Sequence, residues 1–174
     1  MLRDQADGLS IPVEVRADRR QPNKMSLGLG YATDVGPRVS LEWQRHLLNH
    51  RGHGIEATTE VSQVRQQGEV RYKVPWKHPI EDTLQFLFGV QHDLIDDTDT
   101  TQVVVGVQRV IQPQRGWQRT YGLKLSEEFY RRDSGDKGQQ QLLVPSVSFS
   151  RLVSRGGLDP VSGFRQTYQV EGAH

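Results

Sequence analysis

Residues 69–74 read Glu-Val-Arg-Tyr-Lys-Val, an unbroken alternation of charged and apolar side chains. Successive side chains of a β-strand point to opposite faces of the sheet, so this stretch has one apolar face and one charged face. An α-helix would instead repeat its apolar positions every three or four residues. The stretch therefore predicts a strand that separates two different environments.

The same alternation recurs on both sides of this stretch, in segments of about eight to eleven residues separated by clusters of Gly, Pro, Asn, Asp and Ser. The pattern predicts an all-β, antiparallel, up-and-down sheet of about eight to nine strands. The eighth segment is less regular, and the ninth opens near Tyr168. Long polar loops are expected at residues 93–99 and 131–140. The apolar positions that define the first eight segments are Met25, Leu27, Leu29 and Tyr31; Val39, Leu41 and Trp43; Ile55, Ala57, Thr59 and Val61; Val70, Tyr72, Val74 and Trp76; Leu84, Phe86, Phe88 and Val90; Val103, Val105 and Val107; Tyr121, Leu123 and Leu125; Leu143, Val147 and Phe149.

The composition excludes several classes of function. The 174 residues include 22 Lys and Arg, 21 Asp and Glu, and no Cys. Disulfides, thiolate nucleophiles and zinc-thiolate sites are therefore excluded, and a net charge of +1 provides no long-range attraction for nucleic acid. No GxSxG, GxxxxGK[ST] or HExxH motif occurs. We expect no enzyme, no catalytic residue, no cofactor and no nucleic-acid partner.

Alternation alone leaves three architectures open: a soluble sandwich, a lipocalin-like cup and a membrane β-barrel. The segment lengths match the roughly 9 to 11 residues that a tilted strand needs to cross a bilayer. Aromatic residues at segment ends, as in the interfacial girdles of membrane barrels, also favour that class: Trp43, Tyr72, Trp76 and Trp117. A mean hydropathy of -0.65 does not decide the question, because barrel strands are apolar only at alternate positions.

A soluble or small β-barrel that binds an apolar ligand is the alternative. In that arrangement the apolar face would point inward and line a cavity instead of meeting lipid. The residues that would line it are Leu27, Leu29, Val70, Tyr72, Phe86 and Phe88.

Residues 23–38, NKMSLGLGYATDVGPR, combine a glycine-alternating strand with a TD-x-GPR turn. This combination resembles the junction between the last POTRA domain and the first barrel strand in the TamA family of outer-membrane assembly barrels, relatives of BamA. Three further stretches resemble that family in the same order: residues 48–53 (LNHRGH), residues 72–75 (YKVP), and residues 155–160 (RGGLDP) followed by 165–168 (RQTY). The resemblance covers roughly residues 9 to 174.

The resemblance implies a sixteen-stranded outer-membrane barrel that follows three periplasmic POTRA domains and helps to insert or export β-barrel and autotransporter proteins. It implies that residues 1–24 are a POTRA tail and linker, and that residues 25–174 are the N-terminal half of a transmembrane β-barrel. The implied partners are client outer-membrane proteins, autotransporters and outer-membrane lipid; an inner-membrane-anchored, periplasm-spanning protein is a further candidate. We expect a fragment, because half a barrel leaves an open edge and the pattern stops inside a strand.

The resemblance also implies a site. In this family the first barrel strand is a lateral pairing edge, or lateral gate, for client strands. The residues at those positions are Met25, Ser26, Leu27, Gly28, Leu29, Gly30 and Tyr31. Each interior glycine costs a strand roughly 0.5 to 1 kcal/mol against Ala, so this strand would separate readily from a neighbour. Alternatively, the glycines relieve crowding inside a curved sheet.

Two clusters invite a metal interpretation. The first consists of His46, His50 and His53, which lie on an irregular turn without a neighbouring carboxylate, so a solvated turn is expected. The second consists of Asp93, Asp96, Asp97 and Asp99, which lack the Gly and terminal Glu of an EF-hand. An exposed acidic loop is expected there, and no metal site is predicted.

The charged face of residues 69–74 predicts ion pairs. Arg71 and Lys73 share the polar face of the predicted sheet with three acidic residues: Glu56, Glu60 and Glu69. We expect a salt-bridged wall on the inside of a barrel; a lining that selects solutes is the alternative.

Overall fold

The computed structural model describes residues 22–33, 36–95, 98–132, 135–155 and 162–173. These residues form nine β-strands: β1 (Asn23–Ala32), β2 (Gly36–Arg45), β3 (Gly54–Ser62), β4 (Arg65–Pro75), β5 (Asp82–Ile95), β6 (Thr98–Ile111), β7 (Gln118–Arg132), β8 (Lys137–Arg155) and β9 (Ser162–Glu171). Within the described ranges, no helix is long and apolar enough to cross a membrane.

All nine strands belong to one sheet in which each strand pairs antiparallel with the next, in the order β1 to β9. In the described residues β1 and β9 lie at opposite edges and do not pair with each other, so the sheet is unclosed. The predicted all-β, antiparallel, up-and-down topology is confirmed. An open sheet of this kind is consistent with part of a β-barrel.

The two ends of the sheet differ in their connections. At the end where β1 begins, called the proximal end here, the linking segments are residues 46–53, 76–81 and 112–117. At the opposite, distal end the connection that the structure describes in full is the one between β3 and β4, which consists of residues 63 and 64. Odd- and even-numbered connections thus lie at opposite ends, as up-and-down topology requires.

The register aligns apolar side chains across the sheet. One row of directly opposed residues runs through eight strands, and all its members are apolar: Met25, Trp43, Ala57, Val70, Phe88, Val105, Leu125 and Leu143. Because neighbours in such a row lie about 4.5–5.5 Å apart at Cβ, they contact one another on one face. The predicted apolar face is therefore continuous from β1 to β8.

The apolar face is the more exposed of the two faces. In the described residues no hydrophobic side chain is buried. Val105, on the apolar face, is 51% exposed, while its neighbour Val104, on the polar face, is half-buried. A cavity of about 330 Å³ lies over the polar face and is bordered from Thr58 in β3 to Lys124 in β7. The polar face is therefore concave and the apolar face convex.

The later strands are longer than predicted. β5 and β6 have 14 residues, β7 has 15 and β8 has 19. The predicted loops at 93–99 and 131–140 are wrong in part, because residues 93–95, 98–99, 131–132 and 137–140 belong to strands. Polar residues occupy both faces in much of these hairpin ends, so the alternation that marks a strand is lost there.

The ninth strand begins at Ser162 and not near Tyr168. The predicted appendage of residues 1–24 lies almost wholly outside the described residues, which begin at Pro22.

Candidate functional site

The outer edge of β1 is free of any strand partner within the described ranges. β1 pairs with β2 along its whole length, from Asn23 opposite Arg45 to Ala32 opposite Gly36. In an antiparallel edge strand every second residue directs its N–H and C=O groups away from the partner. The predicted pairing edge, from Met25 to Tyr31, therefore presents a row of backbone donors and acceptors.

The apolar side chains of β1 are far more exposed than those of β2. Leu27 and Leu29 are 68% and 78% exposed. Their β2 partners, Leu41 and Val39, are 39% and 46% exposed, because β2 has neighbours on both sides. An added strand would cover both the backbone groups and the apolar side chains of β1.

The two interior glycines of β1 lie under side chains of β2. A Cβ atom at Gly28 would overlap Oγ of Ser40, and one at Gly30 would come within 2.8 Å of Nε of Arg38. Both glycines are on the concave face, where side chains converge. Relief of crowding therefore has a direct structural basis, whereas weakening of the edge stays a prediction.

The charged wall on the concave face is confirmed for two of its three acidic members. Nζ of Lys73 lies 2.7 Å from a carboxylate oxygen of Glu56, and a guanidinium nitrogen of Arg71 donates to Glu69 at 2.6 Å. The third acidic residue, Glu60, lies opposite Gln67. The wall thus joins neighbouring strands β3 and β4 through paired charges on a water-accessible surface.

Amide side chains continue this face beyond the ion pairs. Gln102 donates to the hydroxyl of Ser126 at 2.9 Å, and Gln108 donates to Gln85 at 2.8 Å. Both bonds link adjacent strands. The strands are therefore joined across the concave face by polar side-chain contacts and not by a packed apolar layer.

The four aromatic residues predicted to form a girdle all lie at the proximal end, and the two within strands project on the convex face. Trp43 lies near the end of β2, Tyr72 near the end of β4, and Trp76 and Trp117 in the connections at that end.

An ion pair lies at the same end of the sheet. Two nitrogen atoms of Arg109 donate to the two carboxylate oxygens of Asp82 at 3.0 and 2.7 Å. Asp82 is 5% exposed. This ion pair marks the proximal border of the apolar surface.

The turn that contains His46, His50 and His53 was predicted to be solvated, and this is correct for two of the three histidines. The side-chain oxygen of Asn49 accepts bonds from the backbone N–H of Arg51 and His53, at 3.0 and 3.2 Å, and so shapes the turn. Nδ1 of His53 lies 2.6 Å from the hydroxyl oxygen of Tyr72, while His46 and His50 are exposed. Over the part of the chain that the structure describes, no group of metal-binding side chains is present.

Two of the four aspartates in the predicted acidic loop have specific partners. Asp93 accepts a bond from Nε of Arg65 at 2.7 Å, and Asp99 lies 3.4 Å from Nδ1 of His92. Asp96 and Asp97 lie outside the described residues. Asp93 and Asp99 therefore help to join β4, β5 and β6.

Sequence reasoning missed the Asp82–Arg109 pair and the His53–Tyr72 contact. Arg109 follows Val105 and Val107 at the same two-residue spacing in β6, so it lies on the apolar face. That spacing could have indicated a charged residue on this face. The chain matches no protein-family model.

Proposed function

We propose that the chain is part of an outer-membrane β-barrel that helps to insert or export β-barrel and autotransporter proteins, with the free edge of β1 as the pairing edge for client strands. The apolar convex face would contact lipid, and the polar concave face would line a hydrated interior. The outer membrane is the proposed location, and other outer-membrane proteins are the proposed clients.

The observation that carries the proposal is the inverted distribution of polarity over a curved sheet. A soluble β-barrel buries its apolar face on the concave side. Here Phe88 and Val105 project from the convex side, while Lys73 and Glu56 form an ion pair on the concave side. Hydrocarbon is the surrounding that makes an exposed apolar band favourable and leaves charges in the interior.

The free edge of β1 supports the second half of the proposal. Open sheet edges are not tolerated in contact with lipid, because their N–H and C=O groups would lack partners. A client strand that pairs along β1 would satisfy those groups through main-chain hydrogen bonds. Since these bonds do not depend on side-chain identity, one edge would serve many client sequences.

A disulfide-crosslinking experiment tests the edge. Leu27→Cys is introduced into the full-length protein, since the chain itself has no Cys, and client proteins carry single Cys substitutions along a terminal strand. We expect crosslinks at one or two adjacent client positions, as a fixed antiparallel register requires.

Val70→Cys is the matched control for this experiment. Val70 lies on the same face in β4, but its strand is paired on both sides, with β3 and β5. It should give no client crosslink. Equal crosslinking from both positions, or none from Leu27→Cys in a protein that is expressed and assembled, would contradict the pairing edge.

Detergent dependence tests the membrane location separately. We expect the chain to need detergent or lipid to stay folded and dispersed, because its apolar face has no cover. A purified chain that stays monomeric and folded in plain buffer would contradict the membrane proposal.

A further inference from the structure

A cavity at the proximal border of the convex face combines arginines with aromatic rings. It has a volume of about 630 Å³ and lies where the connection between β6 and β7 meets β8 and β9. Its lining includes Arg115, Trp117, Arg119, Phe149 and Tyr168. The cavity therefore lies beside the apolar surface and not over the polar concave face.

The aromatic rings form one wall of this cavity. The ring centroids of Trp117 and Tyr168 lie 5.9 Å apart, and the guanidinium carbon of Arg151 lies 5.9 Å from the ring centre of Trp117. Arg151 and Phe149 share a face of β8, and Arg119 is directly opposite Phe149. Three arginines therefore lie around one aromatic surface.

Neighbouring carboxylates have other partners. Asp82 is bound at both oxygens by Arg109. A side-chain oxygen of Glu81 accepts a bond from the backbone N–H of Gln114 at 3.3 Å. A second bond, from the N–H of Gln112 to the backbone oxygen of Glu81, measures 2.6 Å and ties the connection to the start of β5. Among the described residues that line the cavity, the charged ones are both arginines, Arg115 and Arg119.

We propose that this cavity binds the phosphate group of an anionic membrane lipid. Arginine offers paired N–H donors that match phosphate oxygens, and the aromatic wall suits the border between headgroup and acyl chain. A phosphate held there would leave the acyl chains of the same molecule along the apolar face. This inference rests on the proposed membrane location, which brings lipid to the convex face.

Fluorescence quenching by brominated lipid tests the proposal. A variant of the full chain with Trp43→Phe and Trp76→Phe keeps Trp117 as its sole tryptophan, and it is reconstituted into mixed phosphatidylglycerol and phosphatidylcholine vesicles in which one lipid at a time carries bromine. We expect brominated phosphatidylglycerol to quench Trp117 more strongly than brominated phosphatidylcholine does. The apparent affinity for phosphatidylglycerol should be higher by roughly fivefold for each arginine that contacts the headgroup.

Substitutions identify the residues responsible. Replacing Arg115, Arg119 and Arg151 together by Gln should remove the preference, while Lys at the same positions should keep part of it, because charge persists without the paired donors. Arg51→Gln is the matched control, since Arg51 is an exposed arginine in another proximal connection. It should leave the preference unchanged. Equal quenching by both lipids before substitution, or loss of preference in the control, would overturn the proposal.

A second reporter separates this inference from the membrane proposal. A variant with Trp43 as sole tryptophan reports on another position of the apolar face, near the end of β2, where either lipid should quench the fluorescence. Quenching of Trp43 without headgroup preference at Trp117 refutes the lipid site alone; no quenching of Trp43 refutes the membrane location.

Inorganic phosphate is added to the detergent-solubilised Trp117 variant as a third test. A saturable change at millimolar phosphate would indicate a site for a small anion and would overturn the assignment to lipid.

Discussion

The side chain of Ser40 occupies the space above Gly28, its directly opposed residue in the β1–β2 pair. The same relationship recurs on the concave face between Gly122 and Ser146, where a Cβ atom on the glycine would lie 2.6 Å from the serine oxygen. Inward curvature brings the side chains of this face together. The glycine thus leaves room for the hydroxyl of the opposed serine, both at the edge and well inside the sheet.

Replacing Gly28 by Ala should be tolerated, because the one atom that a Cβ at this position would overlap is the rotatable hydroxyl oxygen of Ser40, and Cβ of Ser40 lies 3.8 Å away. Alanine also removes the conformational freedom that glycine has in the unfolded chain, so we expect the free energy of unfolding to rise by about 0.5–1 kcal/mol. Urea unfolding in detergent micelles, followed by tryptophan fluorescence, measures the change. The double variant with Ser40→Gly should respond to Gly28→Ala in the same way. A loss of stability that Ser40→Gly reverses would show instead that the two residues compete for space.

Val104 and Val105 are adjacent and chemically identical but lie on opposite faces. Val105→Arg should hinder insertion into lipid vesicles, at a cost of about 2–4 kcal/mol if the residue lies near the middle of the bilayer. Val104→Arg places the charge on the concave face and should be tolerated. The fraction of protein that becomes protease-resistant after mixing with vesicles measures insertion. The reverse order of the two variants would mean that the apolar face is the interior one.

The ion pair between Asp82 and Arg109 should contribute measurably to stability. Asp82→Asn should lower the free energy of unfolding by about 1.5–3 kcal/mol, because two charge-assisted hydrogen bonds are weakened around a buried side chain. A double-mutant cycle with Arg109→Gln measures the coupling directly. Lys24→Gln removes an exposed charge in β1, far along the sheet from this pair, and serves as control. A coupling energy indistinguishable from zero would show that the pair has no energetic role.

The contact between His53 and Tyr72 should hold the proximal turn against β4. Tyr72→Phe removes the hydroxyl oxygen that lies 2.6 Å from Nδ1 of His53, and a hydrogen bond of this kind contributes about 0.5–1.5 kcal/mol. We expect faster amide hydrogen exchange at residues 46–53, with exchange in β7 unchanged. Tyr31→Phe, at an exposed tyrosine in β1, is the comparison. Identical exchange in wild type and Tyr72→Phe would contradict this role.

Alternation in the sequence predicted the strands and their faces well wherever the two faces meet different surroundings. Around Val70 and Phe88 one side is apolar and the other polar, so the period of two is visible and the register follows it. At residues 98–99 and 139–140 both faces are polar, and the period disappears even though the backbone stays extended. These stretches were therefore expected to be loops.

The candidate sites were predictable to different degrees. The pairing role of Met25 to Tyr31 was inferred from family resemblance and stays a prediction, whereas the paired charges of Arg71 and Lys73 followed from strand periodicity and are confirmed. The cavity at Trp117 was missed, because its lining comes from positions as distant as Pro113 and Tyr168. Such a grouping depends on the register of three strands, which no local pattern specifies.

β1 is ten residues long, whereas β8 reaches 19. Ten residues of tilted strand span about one bilayer thickness. If the sheet lies in a membrane as proposed, the free edge of β1 offers a template whose length matches a single crossing. A client chain that pairs with this edge would gain one membrane-spanning strand at a time, and the client residues beyond the paired segment would extend into water.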